Sequence, residues 1–324
     1  MSDKIFTANK KTPPPAGGGW GVIDLGTNTF HLLIAEGSAA AYREIVHQHI
    51  GVKIGEGGIN KGVIQPAAFE RGIKALQHFH DLILKNNVKE VRAIGTSALR
   101  NAANGGDFIM EVKKLTGIAI EIIDGEKEAA YIYKGINASG CLSKQNSLIV
   151  DIGGGSVEFI IANNEGIKWK QSFEIGCARL MDKFHQTDPI PSNSIDALNI
   201  YLEDQLKALF TATADYTMEG LIGASGAFET YAEVIGLEKG HPFDLATTKN
   251  YEFDRDELLN VIEKLIHSSH EERLVTKGIV SLRTDMIVVA SLLTRFIIEK
   301  LNIYNVVMST SSLKEGVLAE MIGE

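Results

Sequence analysis

Two stretches of this chain, GVIDLGTNTFHLLIA (21–35) and LIVDIGGGSVEFIIA (148–162), align without a gap. Each is an apolar run, then Asp-x-Gly with a cluster of Thr, Asn, Ser or Gly, then a second apolar run. Asp24 and Asp151, Gly26 and Gly153, Ile34 and Ile161, and Ala35 and Ala162 coincide. The pattern predicts two buried strands joined by a tight turn of small residues, made twice.

Such a turn gathers several backbone N–H groups at one point with no side chain in the way, which makes a concavity for anions. Two of them facing each other would grip a chain of phosphates from both sides. An Asp just before each turn can hold Mg²⁺, which favours carboxylate and phosphate oxygens, or orient a metal-bound water. Neither turn carries the Gly-Lys-Ser/Thr ending of a Walker loop.

With 324 residues the chain is long for one core and suits two domains. Its 44% hydrophobic and 23% charged residues are those of a soluble globular protein, and no apolar stretch approaches the ~20 residues that span a membrane. The opening MSDKIFTANKKTPPPAGGGW has no apolar segment of the secretory kind, so a flexible tail is expected over 1–19. Cys141 and Cys177 form no metal or redox motif and are expected as reduced packing residues in the cytoplasm. A net charge of −9 argues against a nucleic-acid surface, so the positive contacts to a polyanion must be local, in a cleft.

Along the chain, 42–54 reads as further strand, 56–58 as a loop, and 64–84 as a helix with Phe69, Ile73, Leu76, Phe79 and Ile83 on one face. Strands are expected over 91–94 and 118–123, the latter leading into a helix from near Glu126. The order restarts at about 147. Three segments, AIGTSALRNA (93–102), LIGASGAFETYA (221–232) and VVMSTSSLKEGV (306–317), share a strand, a small-residue turn and an amphipathic helix. That sets helix N-termini at the carboxyl ends of strands, where open α/β sheets bind ligands. One loop and one polar-faced helix are expected between 188 and 219, a helix over 254–272, and a buried helix over 280–301; all three read as structural.

These motifs resemble the exopolyphosphatase/guanosine pentaphosphate phosphohydrolase (Ppx/GppA) family, within the actin, sugar kinase and heat-shock ATPase superfamily. IDLGTNTFHLLIA, GTSALRNAAN, DGEKEA, DIGGGSVEF, IGASG and LKEGVL carry the resemblance. DIGGGS or IDLGTN alone would indicate the superfamily; TSALRxAxN followed by a strand and GxxEA narrows it to the family. The resemblance implies two actin-like (ribonuclease H-like) α/β domains with the active site in the cleft between them. It places 20–128 with 308–324 in the first and 129–307 in the second.

It also implies Mg²⁺-dependent hydrolysis of a terminal phosphoanhydride, releasing orthophosphate from inorganic polyphosphate, pppGpp or both. By motif position Glu128 is the catalytic glutamate and Arg100 the phosphate-contacting arginine. Asp24, Asp151 and Glu158 are the metal-associated acids. Thr27, Asn28 and Thr29 match one phosphate loop, and Gly153, Gly154, Gly155 and Ser156 the other, with Ser225 and Gly226 as a further contact. Glu128 would be the general base on an attacking water; spacing alone does not separate it from Glu126, which suits a helix N-terminus electrostatically. His31 stands where the second copy has Glu158 and reads as a packing or hydrogen-bonding residue.

Three departures shape the expectation. Ala130 stands where the family commonly has Arg, and STSS replaces an acidic residue and Gly, which weakens nucleotide-base recognition. The chain stops soon after LKEGVL, without the extra helical domains of longer members. Short polyphosphate is therefore the expected substrate, and a homodimer is compatible with the family. A small-molecule kinase and a non-catalytic sensor of polyphosphate or an alarmone are the alternatives.

Overall fold

In the computed structural model the described residues are 19–38, 41–241 and 248–323. The tail expected over 1–19 lies outside them except for Gly19. The first duplicated segment forms β1 (Trp20–Leu25) and β2 (Thr29–Ser38), and β3 (Ala41–Gly51) extends the meander. Next come α1 (Pro66–Lys85), β4 (Glu90–Gly95), α2 (Ser97–Asn101), α3 (Gly105–Thr116), β5 (Ile120–Ile122) and α4 (Gly125–Ser139). The helix opened by GTSALRNAAN is thus broken. Ala102 turns extended, and the Asn104 side chain bonds both backbone groups of Ile64 before α3 begins.

The second copy forms β6 (Asn146–Ile152) and β7 (Val157–Asn163), followed by β8 (Gly166–Phe173), which the sequence reading did not separate out. Helices α5 (Cys177–Phe184), α6 (Ser192–Gln205) and α7 (Lys207–Ala214) lead to β9 (Met218–Ala224) and α8 (Gly226–Glu238). The stretch between 188 and 219 therefore holds two helices, where one was expected. Then follow β10 (Asn250–Phe253), α9 (Arg255–His267), α10 (His270–Val275), α11 (Met286–Lys300), β11 (Val306–Ser309) and α12 (Leu313–Met321). The helix expected over 254–272 is split at Ser269, which starts α10 with a reciprocal cap to Glu272.

The strand orders repeat as the sequence does. The first sheet runs β3-β2-β1-β4-β5; the second runs β8-β7-β6-β9-β11, with β10 added antiparallel on its edge. In each, an antiparallel meander is continued by two parallel strands. These are the two actin-like α/β halves expected from the sequence.

Each half has its own core. Phe30, Phe79 and Phe108 fill the first; Phe159, Phe228, Leu258 and Leu293 the second. A third core joins them: Val22 and Leu33 from one sheet and Ile149 and Ile160 from the other close on Ile132, Ile136, Val317 and Leu318 of α4 and α12. Full burial of each such side chain contributes about 1.5–3 kcal/mol. The two helices cross at Gly316, where any side chain would collide with the Tyr131 carbonyl of α4. This close crossing brings the first turns of α4 and α12 to the ends of β1 and β6.

Candidate active site

The two hairpins share one register. Asp24 pairs with His31, and Asp151 with Glu158, so the substitution of His for Glu falls at one register position. A methyl on Gly26 would lie 2.9 Å from the Thr29 carbonyl oxygen, and one on Gly153 at 2.9 Å from that of Ser156.

The turns face each other. A side chain on Gly154 would run into the Asn28 amide, and a methyl on Gly155 would come within 2.6 Å of Thr27 Oγ1 and 2.5 Å of Ser97 Oγ. Only glycine permits that approach. Behind the turns the carbonyls are tied back. Thr27 and Asn28 accept from Gly55 N at 3.2 Å and Lys53 N at 2.8 Å; Gly153, Gly154 and Gly155 accept from Cys177, Ala178 and Gly176 N at 2.9, 2.8 and 3.2 Å. Among the described residues, the N–H groups of Thr27, Asn28, Gly154 and Gly155 have no acceptor. The arrangement is a pair of opposed anion nests.

Glu128 lies in the first turn of α4, which the Asp124 carboxylate caps by accepting Lys127 N at 2.7 Å. Glu128 is 7% exposed and accepts Arg100 Nη1 at 3.1 Å; the same nitrogen donates to the Ile123 carbonyl at 2.9 Å. Burial and the nearby Glu158 raise the Glu128 pKa well above the carboxylate range, against the pull of Arg100. Glu126 is different: its side chain is exposed and paired with Lys170 at 3.2 Å.

Behind Glu128 stand three more carboxylates, Asp151 and Glu158 buried and Asp24 half-buried. Burial pushes Asp24 up to about 7, with Lys314 opposing and Asp151 adding to the rise. Burial raises Asp151 too, while hydrogen bonds from Ser312 and Ser225 oppose it. Glu158, which accepts Ser172 Oγ at 2.6 Å, is pushed up to about 8 by burial and by Asp151. His31 is a neutral imidazole, its pKa driven far down by burial and Lys314, and its Nδ1 is buried without a partner.

Ser225 holds a left-handed backbone (φ 70°) that costs a serine of order 1–3 kcal/mol, and its hydroxyl donates to the Ile152 carbonyl at 3.1 Å. Gly226 is covered by the Arg283 guanidinium, which also binds Glu229 at 2.7 Å. The start of α8 is therefore beside the cleft but occupied by a side chain.

Several residues at the site escaped the sequence reading. Lys314, with Nζ 3.0 Å from Glu315 Oε1, is the buried cation facing Asp24 and Glu229. Arg179 Nε donates to the Gly155 carbonyl at 2.8 Å and Nη1 to the Ile59 carbonyl at 3.0 Å, tying the halves together. Glu174 receives Arg100, Arg179 and Ser97. Of these only Lys314 has a signal in the sequence, as part of LKEGVL.

A model of the Ppx/GppA phosphatase family matches residues 33–324. The chain belongs to this family. Among curated relatives, the guanosine-5'-triphosphate,3'-diphosphate pyrophosphatase of Vibrio cholerae is 27% identical over 307 residues, 94% of this chain and 59% of that protein. The protein of the same name from Aeromonas salmonicida is 28% identical over 308 residues, with the same coverage of 94% and 59%. The chain thus spans about three-fifths of the length of the curated relatives it matches. An exopolyphosphatase from Cytophaga hutchinsonii, known as a crystal structure, superposes with a TM-score of 0.91 at 38% identity, over 94% of this chain and 97% of that one. The Aquifex aeolicus PPX-GPPA enzyme, at 23% identity and a TM-score of 0.76 over 94% and 99%, shares the fold. No helix among the described residues is long and apolar enough to cross a membrane.

Proposed function

We propose that this member of the Ppx/GppA family hydrolyses the terminal phosphoanhydride of inorganic polyphosphate, short chains above all, or of pppGpp. The observation that carries the reading is the pair of opposed nests, whose free N–H groups meet beside a buried Glu–Arg pair. Thr27, Asn28, Thr29 and Gly153, Gly154, Gly155, Ser156 would hold successive phosphates by backbone and hydroxyl donors. Ser225 and Gly226 would join them only after Arg283 moves. Arg100 would neutralise charge on the transferred phosphoryl oxygens. Glu128 would take the proton of the attacking water; its raised proton affinity makes it a stronger base than an ordinary glutamate.

The donor set fits Mg²⁺. Asp24, Asp151 and Glu158 offer only oxygen, and their charges destabilise one another when no cation is present. Among the described residues no group of three such side chains closes a metal cage by itself. An ion there would have to draw further ligands from water and phosphate. Bound there, it would supply neutralising charge to the phosphate chain.

On this reading the chain works as two bodies, 20–128 with 308–324 and 129–307, in the cytoplasm. Strand pairing carries the second sheet through Ser309, into the start of the last segment. Both cysteines are free, and burial pushes the Cys177 thiol up to about 12, in keeping with a packing role. The test is orthophosphate release from tripolyphosphate, long polyphosphate, pppGpp and ATP, with Mg²⁺ and in chelator. Mg²⁺-dependent release from the first supports the reading; binding of all four without release would favour a sensor.

A further inference from the structure

One carboxylate of the chain sits where the cleft gathers its cations. Glu174, in the loop between β8 and α5, accepts Ser97 Oγ at 2.6 Å, Arg179 Nη2 at 2.7 Å and Arg100 Nη2 at 3.0 Å. The donors come from α2 and α5 and meet at the second nest: Arg179 is bonded to the Gly155 carbonyl, and Ser97 Oγ stands against Gly155.

The donors have other partners in the chain, whereas the carboxylate is held by these donors and Asn101. Arg100 is also held by Glu128 and the Ile123 carbonyl, Arg179 by the Ile59 and Gly155 carbonyls, and their side chains are only 17% and 13% exposed. The Glu174 side chain is 44% exposed and can turn into water at little cost of solvation. One nitrogen from each of two guanidinium groups and a hydroxyl converge on one point, three charge-assisted or polar donors that match the several oxygens of a phosphate better than the two of a carboxylate. Burial works against the Glu174 charge, but hydrogen bonds from Ser97, Asn101 and Arg100 and the charge of Arg179 outweigh it and keep the group ionised.

We propose that Glu174 is an internal stand-in for substrate: its carboxylate fills an anion subsite made by Ser97, Arg100 and Arg179, and a phosphate of the bound chain displaces it. The inference rests on the phosphate-cleft reading above. With the cleft empty, the carboxylate neutralises two guanidinium groups that would otherwise repel each other. With substrate present, it competes. It therefore weakens the binding of every phosphate chain and leaves Arg100 free to turn its second nitrogen to the ligand only after the exchange. Arg179 becomes a phosphate contact that holds the two halves together.

The test is calorimetric titration of the full chain with nonhydrolysable imidotriphosphate, so that turnover is not needed. Glu174→Gln and Glu174→Ala should each lower Kd about tenfold, the effect of removing a charged competitor for these donors. Arg179→Ala should raise it by a similar factor, and in that background the gain from Glu174→Ala should shrink. Melting curves confirm folding, and Glu174→Gln keeps the shape if the alanine variant does not fold. An unchanged or raised Kd in both Glu174 variants would make Glu174 a strut for Arg100 and Arg179 and overturn the proposal. If folded wild type and variants all fail to bind imidotriphosphate, the phosphate cleft itself is refuted and the stand-in with it.

Discussion

Arg100 Nη1 lies 3.1 Å from Glu128 Oε2, and this contact joins the helix after β4 to the first turn of α4. The arginine proposed to contact phosphate and the carboxylate proposed to activate water are thus held in register. Glu128→Gln should lower kcat by ~10² or more, the usual scale for a general base, while imidotriphosphate still binds. Glu126→Gln, at a side chain turned to Lys170, should leave kcat within a few-fold. Steady-state kinetics beside calorimetry checks both, and a reversed order of the two effects would overturn the assignment.

Arg100→Lys should lower kcat and raise KM together. The guanidinium serves Glu128 and Ile123 with one nitrogen and Glu174 with another, a fork that an ammonium cannot reproduce. If KM alone rose, Arg100 would contribute binding without favouring the transition state.

What was legible in the sequence was what the duplication wrote twice. Asp24, Asp151 and both turns stand out because two copies agree, and Glu158 and His31 follow from their shared register. The third strand of the second meander could have been inferred by the same argument, since 42–54 follows the first hairpin as 166–173 follows the second. Its mixed Ile, Trp, Lys and Gln hid it. Arg179, Glu174 and Lys314 were not legible as a set, because their meeting depends on how α5 packs behind the Gly153–Ser156 turn and how α12 crosses α4 at Gly316. Three-dimensional crossings of that kind leave no spacing in a single sequence.

Stability should depend on pH in a way that reports the buried acids. Asp24 and Glu158 have pKa values raised to about 7 and about 8, from 3.8 and 4.5. The folded chain therefore keeps protons that the unfolded chain releases, and the stability these groups contribute at low pH is lost as pH rises to about 8. His31 and His47, with pKa values lowered from 6.5, act in the opposite sense below that value. Between 6.5 and about 8 only the acids remain. There the metal-free protein should lose up to about 1.4 kcal/mol per pH unit for each proton, and Mg²⁺ should flatten the slope. Urea denaturation across that window, in chelator and in Mg²⁺, measures it; a flat profile in chelator would contradict the charge cluster.

Catalytic efficiency should stop rising once a polyphosphate fills the cleft. The cations at the site are few, Arg100, Arg179, Arg283 and Lys314, and all four already pair with carboxylates of the chain. With a net charge of −9, the rest of the surface offers no broad attraction to a long polyanion. Chains of increasing defined length, assayed at fixed salt, should reach a plateau below ~10 phosphates, and their KM should rise with salt only shallowly. A continued gain in longer chains would reveal a basic path outside the cleft.

In the proposed reaction, water directed by Glu128 attacks the terminal phosphorus of a chain held between the two turns. Hydrolysis of tripolyphosphate in ¹⁸O-labelled water tests it directly. Mass spectrometry should find one heavy oxygen in the released orthophosphate and none in the pyrophosphate that remains. Label in the pyrophosphate, or orthophosphate without label, would contradict the account.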